Sequence, residues 1–449
     1  MSPAENTSRR SFLATSTAAI IAAPAIVRGR NLNSHLNYAG IGADGKGMSD
    51  IIEITNHKKV NPVAYADVDL NRTVKVHKKH PQAKIFQDYR EMLDSLGDKI
   101  DGVSVSTPDH THAIISLDAM ARGKHVYCQK PLTRTVWEAR QMRSVAKKSG
   151  VITRMGNQIH SHTAYRTAVQ LIQSGVVGKI KEVHSWVGTT GHGRSGLLDR
   201  PATNEPQPKG LDWDLWLSVA PSRPYGGNRV YHPFTWRDWQ DFGSGAIGDF
   251  GCHLLDPVYT SLKITGDPIS VRSEHSGMND EVWPAQETLH YLVPGTQYTA
   301  GKTLKITWYD GGRRPSDSVA KLAAGQSWPR GGSIMVGETG NLFVPHVGTP
   351  FVNKPDFKIE SVPGLNHYWG WVDGCLSGKQ PSDGFEYGGH LTEAVQLGNV
   401  AAHFPKETLE FDGKKLKITN KPEANKHLTR KYRKGFVVKP VKLGRKRNS

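Results

Sequence analysis

Apolar residues come in short runs through the first third of the chain, separated by longer amphipathic stretches. Leu36–Ile41, Val63–Ala66, Gly102–Ser106, His125–Cys128 and Ile152–Gly156 read as strands bounded by glycine, proline or polar turn residues. Phe86-Gln87-Asp88-Tyr89 leads into one helix, a second spans Ala113–Arg122, and a third spans Ala164–Ser174 and closes at Gly175. Strands that alternate with helices in this way pair in parallel, which predicts a doubly wound α/β domain. From Gly178 the pattern changes. Strands at Glu182–Val187, Ile269–Ser273, Thr288–Val293, Leu304–Tyr309, Ser333–Gly337 and Asn341–Val344 outnumber the helices, of which Trp369–Leu376 and Thr392–His403 stand out. That half predicts an α+β domain built on a large, mostly antiparallel, open-faced sheet with helices on one side.

A chain of 449 residues is too long for one ordinary core, so two domains are expected. The boundaries fall at 35–156 for the doubly wound domain and 157–420 for the α+β domain, with a basic tail at 421–449. Net charge is +17, much of it at the two ends. No acidic residue follows Lys426, and the tail is expected to be a solvated arm. No aromatic-interleaved basic stripe, helix-turn-helix pattern or zinc-finger spacing supports a nucleic-acid partner. No apolar run is long enough for a membrane span. Three widely spaced cysteines, Cys128, Cys252 and Cys375, form neither a disulfide framework nor a structural zinc site. His160, His162, His192, Cys252 and His253 match no ligand frame, so no metal is expected. Residues 1–34 read as an address. Ser8-Arg9-Arg10-Ser11-Phe12-Leu13 is a twin-arginine signal, followed by small apolar residues and Ala23-Pro24-Ala25 as a cleavage pattern. The expected location is periplasmic or otherwise exported, with a mature chain beginning near Ile26. That route carries folded proteins, which suits one that captures a nucleotide in the cytoplasm.

The chemistry collects at strand ends. Gly40, Gly42, Gly45 and Gly47 cluster at the end of the first strand. Two dinucleotide frames fit them: Gly40-x-Gly42-x-x-Gly45, and Gly42-x-Asp44-x-x-Gly47 with an aspartate at the middle place. The second strand ends in Asp67-Val68-Asp69, where an acid takes ribose hydroxyls, Asp67 first and Asp69 second. An acid there favours NAD over NADP, with Arg72 nearby tempering the preference. Thr107, Pro108 and His112 fall in a polar loop after the fourth strand and are expected to line the nicotinamide and ribose. Lys130 follows an apolar strand and precedes Pro131. It is either a solvated loop lysine or a cation aimed at a ligand on the carboxyl edge of the sheet. Asn157, Gln158 and His160 sit at the same edge. The irregular region Gly188–Gly245 is long enough to build a binding site, and its Trp213, Trp216, Trp236 and Trp239 are candidates for stacking on a sugar. In Gly248-Asp249-Phe250-Gly251-Cys252-His253, Asp249 and His253 share one helical face, and Asp256 is expected to be structural.

Together, the glycine turn, the acid after the second strand, Thr107-Pro108-x-x-x-His112 and Gly123-Lys-His-Val-Tyr-Cys-Gln-Lys-Pro131 resemble the glucose–fructose oxidoreductase/inositol dehydrogenase (Gfo/Idh/MocA) family. The family pattern is Glu-Lys-Pro, and Gln129 replaces its glutamate here. The resemblance implies a Rossmann domain followed by an open-sheet α+β domain, with the last long helix returning to the first domain. It also implies homo-oligomers through the open sheet face, and a nicotinamide cofactor contacted by Gln129 and Lys130. Lys130 is the family's catalytic lysine, and the Gly-Asp-x-Gly-x-His pattern opens a helix facing the nicotinamide. On this basis Lys130, His253 and Asp249 are the expected catalytic residues. Asn157, Gln158, His160, Trp236, Asp249 and His253 are expected on the substrate, a carbohydrate or cyclitol. The expected activity is an NAD(P)-dependent oxidoreductase acting on a secondary hydroxyl with a tightly bound, recycled cofactor. Two alternatives stand beside it: a glycoside-cleaving enzyme working through a transient keto-sugar, and a non-catalytic sugar-binding protein on the same scaffold.

Overall fold

The computed structural model describes residues 35–202, 205–320, 328–354 and 357–440. The twin-arginine stretch and residues 441–449 lie outside the described residues. Six parallel strands form the first sheet: β1 Leu36–Ile41, β2 Val60–Ala66, β3 Lys84–Phe86, β4 Gly102–Val105, β5 His125–Gln129 and β6 Thr153–Gly156. Their order is β3-β2-β1-β4-β5-β6, so the winding reverses between β1 and β4 and opens a crevice at their carboxyl ends. β2 begins earlier than the sequence pattern shows because it contains Pro62. The chain accommodates Pro62 at a register shift against β1, outside the stretch of β2 that pairs with β3. β3, a three-residue edge, is too short to leave a periodic signal. The expected polar loop after β4 is instead the first turn of a helix, Asp109–Ala121, entered from Pro108. A proline with extended backbone suits the position before a helix, so His110, Thr111 and His112 are fixed on that turn.

The second sheet has nine strands: β7 Ile180–Val187, β8 Ser270–His275, β9 Glu287–Pro294, β10 Thr303–Tyr309, β11 Gly331–Gly337, β12 Asn341–Pro345, β13 Phe351–Val352, β14 Thr408–Asp412 and β15 Lys417–Ile418. The order is β13-β12-β11-β7-β10-β9-β8-β14-β15, and β7 with β10 is its parallel pair. Val183, Val271, Leu289, Tyr291 and Ile306 face the core side, against helices Gly245–Leu254 and Phe385–Ala402. The alternating positions Glu182, Arg272, Glu274, His290 and Lys305 give the outer face a charged stretch.

Two later helices return to the first domain. Phe385–Ala402 runs along helix Val136–Ser149, starting well before the expected Thr392. Gly388 and Gly389 weaken its sequence signal but permit the approach: a Cβ on Gly389 would lie 2.3 Å from Arg143 Cγ. Glu393, buried in the seam, accepts from Arg140 Nη2 at 2.6 Å and Arg143 Nη1 at 2.8 Å. Helix His367–Ser377 packs on helix Lys46–Thr55 and sets Trp371 edge-on to Tyr38 and Tyr127. The tail departs from the expected solvated arm through residue 440. Tyr432 donates to Glu138 at 2.9 Å and Arg433 Nε to the Ser218 carbonyl at 2.8 Å. Region 188–245 carries the short helix Trp213–Leu217 and an aromatic cluster of its own. Trp213 and Trp239 are spent inside that cluster, which removes them as sugar-stacking residues.

Candidate active site

The crevice predicted by the strand reversal is a cleft of about 540 Å³. Its floor is the β1 turn. Gly42 has φ +88°, and a Cβ there would lie 2.4 Å from the Ser106 carbonyl. A Cβ on Gly47 would lie 2.1 Å from the Gly42 carbonyl, so this glycine serves the close packing of helix on turn. The glycines Gly42 and Gly47 thus pack the turn itself, with Asp44 between them. Gly40 lies within β1, hemmed by Ile51 and Tyr65, and is a packing position away from the cleft wall. Gly45, at φ +57°, precedes helix Lys46–Thr55 and lines the cleft. Asp44 pairs with Lys75 at 3.3 Å and Arg72 at 3.6 Å. Burial works against its ionisation, but the Gly45 N–H, Arg72 and Lys75 outweigh it and hold the carboxyl below the usual range.

Asp67 lines the cleft at the end of β2. Its carboxylate accepts from the Ala43 N–H at 2.8 Å and the Asp69 N–H at 3.0 Å, and burial raises its pKa. Asp69 faces away from the cleft. It caps the turn Leu70–Thr73 and accepts from His232 at 3.0 Å. Thr107 and Pro108 line the wall. His112 lies there too, but both its ring nitrogens sit 2.8 Å from carbonyl oxygens, those of Pro131 and Thr107. Two acceptors call for two N–H donors. Burial opposes the charge, yet Cys128 and the two carbonyls raise the pKa, so His112 straps the Thr107 segment to the Lys130–Pro131 corner.

Lys130 leaves β5 at the inner end of the cleft, and its ammonium donates to Asp249 Oδ1 at 2.7 Å and the Asp249 carbonyl at 2.6 Å. Asp249 also accepts from Arg194 Nη2 at 2.5 Å and lies 3.7 Å from Arg237 Nε. Burial alone would favour the acid, but Lys130, Arg237 and Arg194 hold it far below the carboxylate range. Gln129 does not touch the ammonium. Its amide donates to buried Asp50 at 2.7 Å, alongside Ser106 and Tyr368 hydroxyls and Lys46. The charge missing at position 129 thus stands at Asp50 and Asp249. One helical turn beyond Asp249, His253 lines the cleft, stacked on His346 with centroids 5.3 Å apart. The ring is partly accessible, but its Nδ1 is buried without a hydrogen-bond partner. Burial first, then Lys130 and His346, keep the imidazole neutral well below its ordinary pKa.

Of the expected substrate residues, Gln158, Trp236, Asp249 and His253 line the cleft. Asn157 is fully buried and donates to the Cys252 carbonyl at 2.9 Å, away from the wall. His160 is also off the wall: it pairs with Asp256 at 2.9 Å and contacts Ser382 at 3.0 Å. Burial lowers its pKa but Asp256 and Asp383 prevail, raising it to about 9, the mark of a structural ion pair. Among the described residues no group of His, Cys, Asp and Glu is placed to hold a metal.

The structure adds residues that the sequence did not single out. Asp109, buried on the cleft wall, has its pKa pushed up to about 7 by burial and by Asp249, against the pull of Arg237 and Lys130. Its signal was an acid directly after Pro108. Arg194 and Arg237 come from the irregular region, where no periodicity marks them. Phe436, from the tail, reaches the cleft with Arg90 and Arg433 over its ring at 4.9 and 4.4 Å.

The fit to a dinucleotide is good on these observations. A glycine turn with no room for Cβ, a helix end and a buried acid after β2 face one cleft. Residues 36–157 match the family described as oxidoreductase family, NAD-binding Rossmann fold. Residues 163–291 match its C-terminal alpha/beta domain. The 2,7-anhydro-N-acetylneuraminate hydratase of Mediterraneibacter gnavus is 30% identical over 362 residues, covering 74% of this chain and 85% of that protein. The levoglucosan dehydrogenase of Pseudarthrobacter phenanthrenivorans is 29% identical over 170 residues, 38% of this chain and 34% of that one. In it and several other curated relatives the matched stretch spans a third to under half of the relative's length, 34–46%. A solved levoglucosan dehydrogenase in complex with NADH and levoglucosan superposes with a TM-score of 0.59 at 16% identity, covering 84% of this chain and 99% of that one, which shows the shared fold.

Proposed function

Because the chain belongs to the Gfo/Idh/MocA family of oxidoreductases, we propose that it moves hydride between NAD and a secondary hydroxyl of a sugar, glycoside or cyclitol. The observation that carries this reading is the Lys130 ammonium, fixed by Asp249 in the cleft that the glycine turn opens on, with His253, whose Nδ1 has no hydrogen-bond partner, one helical turn beyond Asp249 on the same wall. NAD, when bound, supplies the two-electron acceptor or donor. Gly42, Gly45 and the N-terminus of helix Lys46–Thr55 hold its pyrophosphate, and Asp67 its ribose. Lys130 donates to the reacting oxygen and stabilises its developing negative charge. His253, kept neutral, takes the hydroxyl proton. Asp249 is engaged by Lys130 and Arg194, so it aims the lysine more than it holds a sugar hydroxyl. The test is reduced-nicotinamide absorbance from purified protein as sugars are added, with bound nucleotide identified after denaturation. A protein that binds sugar without any redox signal is the non-catalytic reading.

Asp109 favours a second reading on the same scaffold. An acid with a pKa of about 7 beside Lys130 suits proton transfer at a C–H made acidic by a neighbouring ketone, the step that expels a glycosidic leaving group. The similarity to a hydratase of an anhydro-sugar supports it. Release of aglycone from a chromogenic glycoside, lost in Asp109→Asn, distinguishes the two.

Export by the twin-arginine route rests on Ser8-Arg9-Arg10-Ser11-Phe12-Leu13, and a recycled, tightly held cofactor follows from it. Homo-oligomerisation through the outer face of the second sheet rests on the partly or fully exposed positions Glu182, Arg272, Glu274, His290 and Lys305 of that face.

A further inference from the structure

A second cavity, about 290 Å³, opens where region 188–245, the last long helix and the C-terminal segment meet the first domain. Arg134, Trp283, His403, His427 and Arg430 form its walls. The Arg134 guanidinium lies 4.7 Å from the Trp283 ring and donates from Nε to the Gln240 carbonyl at 2.7 Å. Among the described residues no carboxylate oxygen comes within 4.0 Å of it. Burial, then Arg430, lowers its pKa to about 10. The acids nearby pair with groups other than Arg134. Asp241 serves Arg223 and, at 3.6 Å, Arg430, while Glu138 takes Tyr432 at 2.9 Å and the Thr135 N–H at 3.2 Å. Asp280 stands exposed at the rim. Arg430 Nε is buried without a partner. Opposite, His403 and His427 stack face to face at 3.8 Å, held neutral by burial and by the surrounding cations.

The partly buried Arg134 guanidinium has a ring and a carbonyl against it but no carboxylate, and a charge withdrawn from water is stabilised by a counter-ion. Here the protein leaves a cavity where the counter-ion belongs. We propose that this cavity binds a small oxyanion, a carboxylate or phosphate group, with Arg134 as its anchor and Arg430 beside it. The planar fork of arginine suits two oxygens of one such group. The wall opposite is coupled to the catalytic cleft: Gln396 donates to Thr133 O at 2.7 Å and Ser244 Oγ at 2.9 Å, and Ser244 precedes the helix of Asp249 and His253.

Inorganic phosphate and malonate, titrated calorimetrically into the purified full chain at constant ionic strength, test the site. At least one binds saturably to the wild type, and which of the two binds tells phosphate from carboxylate. Arg134→Gln weakens that binding about tenfold or more, as loss of a charge-assisted bond requires. Arg72→Gln, in the nucleotide cleft, leaves it unchanged. No binding of either anion, or loss with Arg72→Gln and not Arg134→Gln, overturns the proposal. A tungstate soak of wild-type crystals reads the site without any variant: anomalous density at Arg134 supports it, and density confined to the cleft overturns it.

Discussion

An ammonium between the carboxylate and the carbonyl of one aspartate is oriented as well as neutralised, which is what Lys130 gains from Asp249. Lys130→Met is expected to lower kcat by about a hundredfold or more with nucleotide still bound, measured by turnover and by nucleotide released on denaturation. Loss of nucleotide instead would make Lys130 scaffold. Asp109 gives a pH signature. Its folded pKa of about 7 exceeds the ordinary 3.8, so between those values the folded state holds a proton that the unfolded state has released. Stability therefore falls as pH rises through that window, by at most about 4 kcal/mol from this group. Asp109→Asn should flatten the fall, read as urea midpoints at mildly acidic and mildly alkaline pH. His253 works in the opposite sense. Its depressed pKa keeps it neutral, so the acid limb of kcat/KM is expected below the usual histidine range.

At the scale of elements, the β1 turn and the C-terminal segment frame the nucleotide cleft from two sides. Gly42→Ala puts a methyl 2.4 Å from the Ser106 carbonyl at φ +88°, and is expected to abolish nucleotide retention. The tail segment, docked through Tyr432 and Arg433, sets Phe436 between Arg90 and Arg433 at the cleft wall. Phe436→Ala is expected to release bound nucleotide about tenfold faster, in line with a lost aromatic–cation contact, measured by dilution and filtration. An unchanged release rate would leave the segment as packing only. The strands and this segment differ in how they could be read. β1, β4 and β5 announce themselves through buried runs, whereas a tail rich in lysine and arginine has the composition of a solvated arm and docks through a few specific side chains.

At the scale of the whole molecule, the two domains are bound by more than a linker. Glu393 between Arg140 and Arg143 joins the last long helix to the first domain. Glu393→Gln leaves Asp267, at 3.6 and 3.8 Å, as the remaining carboxylate beside the two guanidinium groups, and is expected to cost about 2 kcal/mol in chemical denaturation, the loss of charge-assisted hydrogen bonds. Charge at the N-terminus belongs to the same scale. Arg9→Lys with Arg10→Lys is expected to leave the protein in the cytoplasm, checked by fractionation, and correct export of that variant would sink the twin-arginine reading.

By itself the sequence determined the doubly wound domain, the glycine turn, Asp67 at the end of β2 and Lys130 at the end of β5. Each of these is local: a strand-length apolar run delivers the residue that follows it to the edge of the sheet. It also determined that Asp249 and His253 share a face, because four residues make about one helical turn. Tertiary structure alone decided that Gly42 and Gly47 pack the turn while Gly40 lies within β1, that Asp249 clamps Lys130, and that Asn157, His160 and Asp69 lie off the cleft wall. It decided too that Asp109, Arg237 and Phe436 join the wall and that Arg194 reaches Asp249. Those outcomes depend on segments far apart in the chain meeting in space, and on burial, which sets the charge of Asp109 and His253 and leaves no trace in residue order.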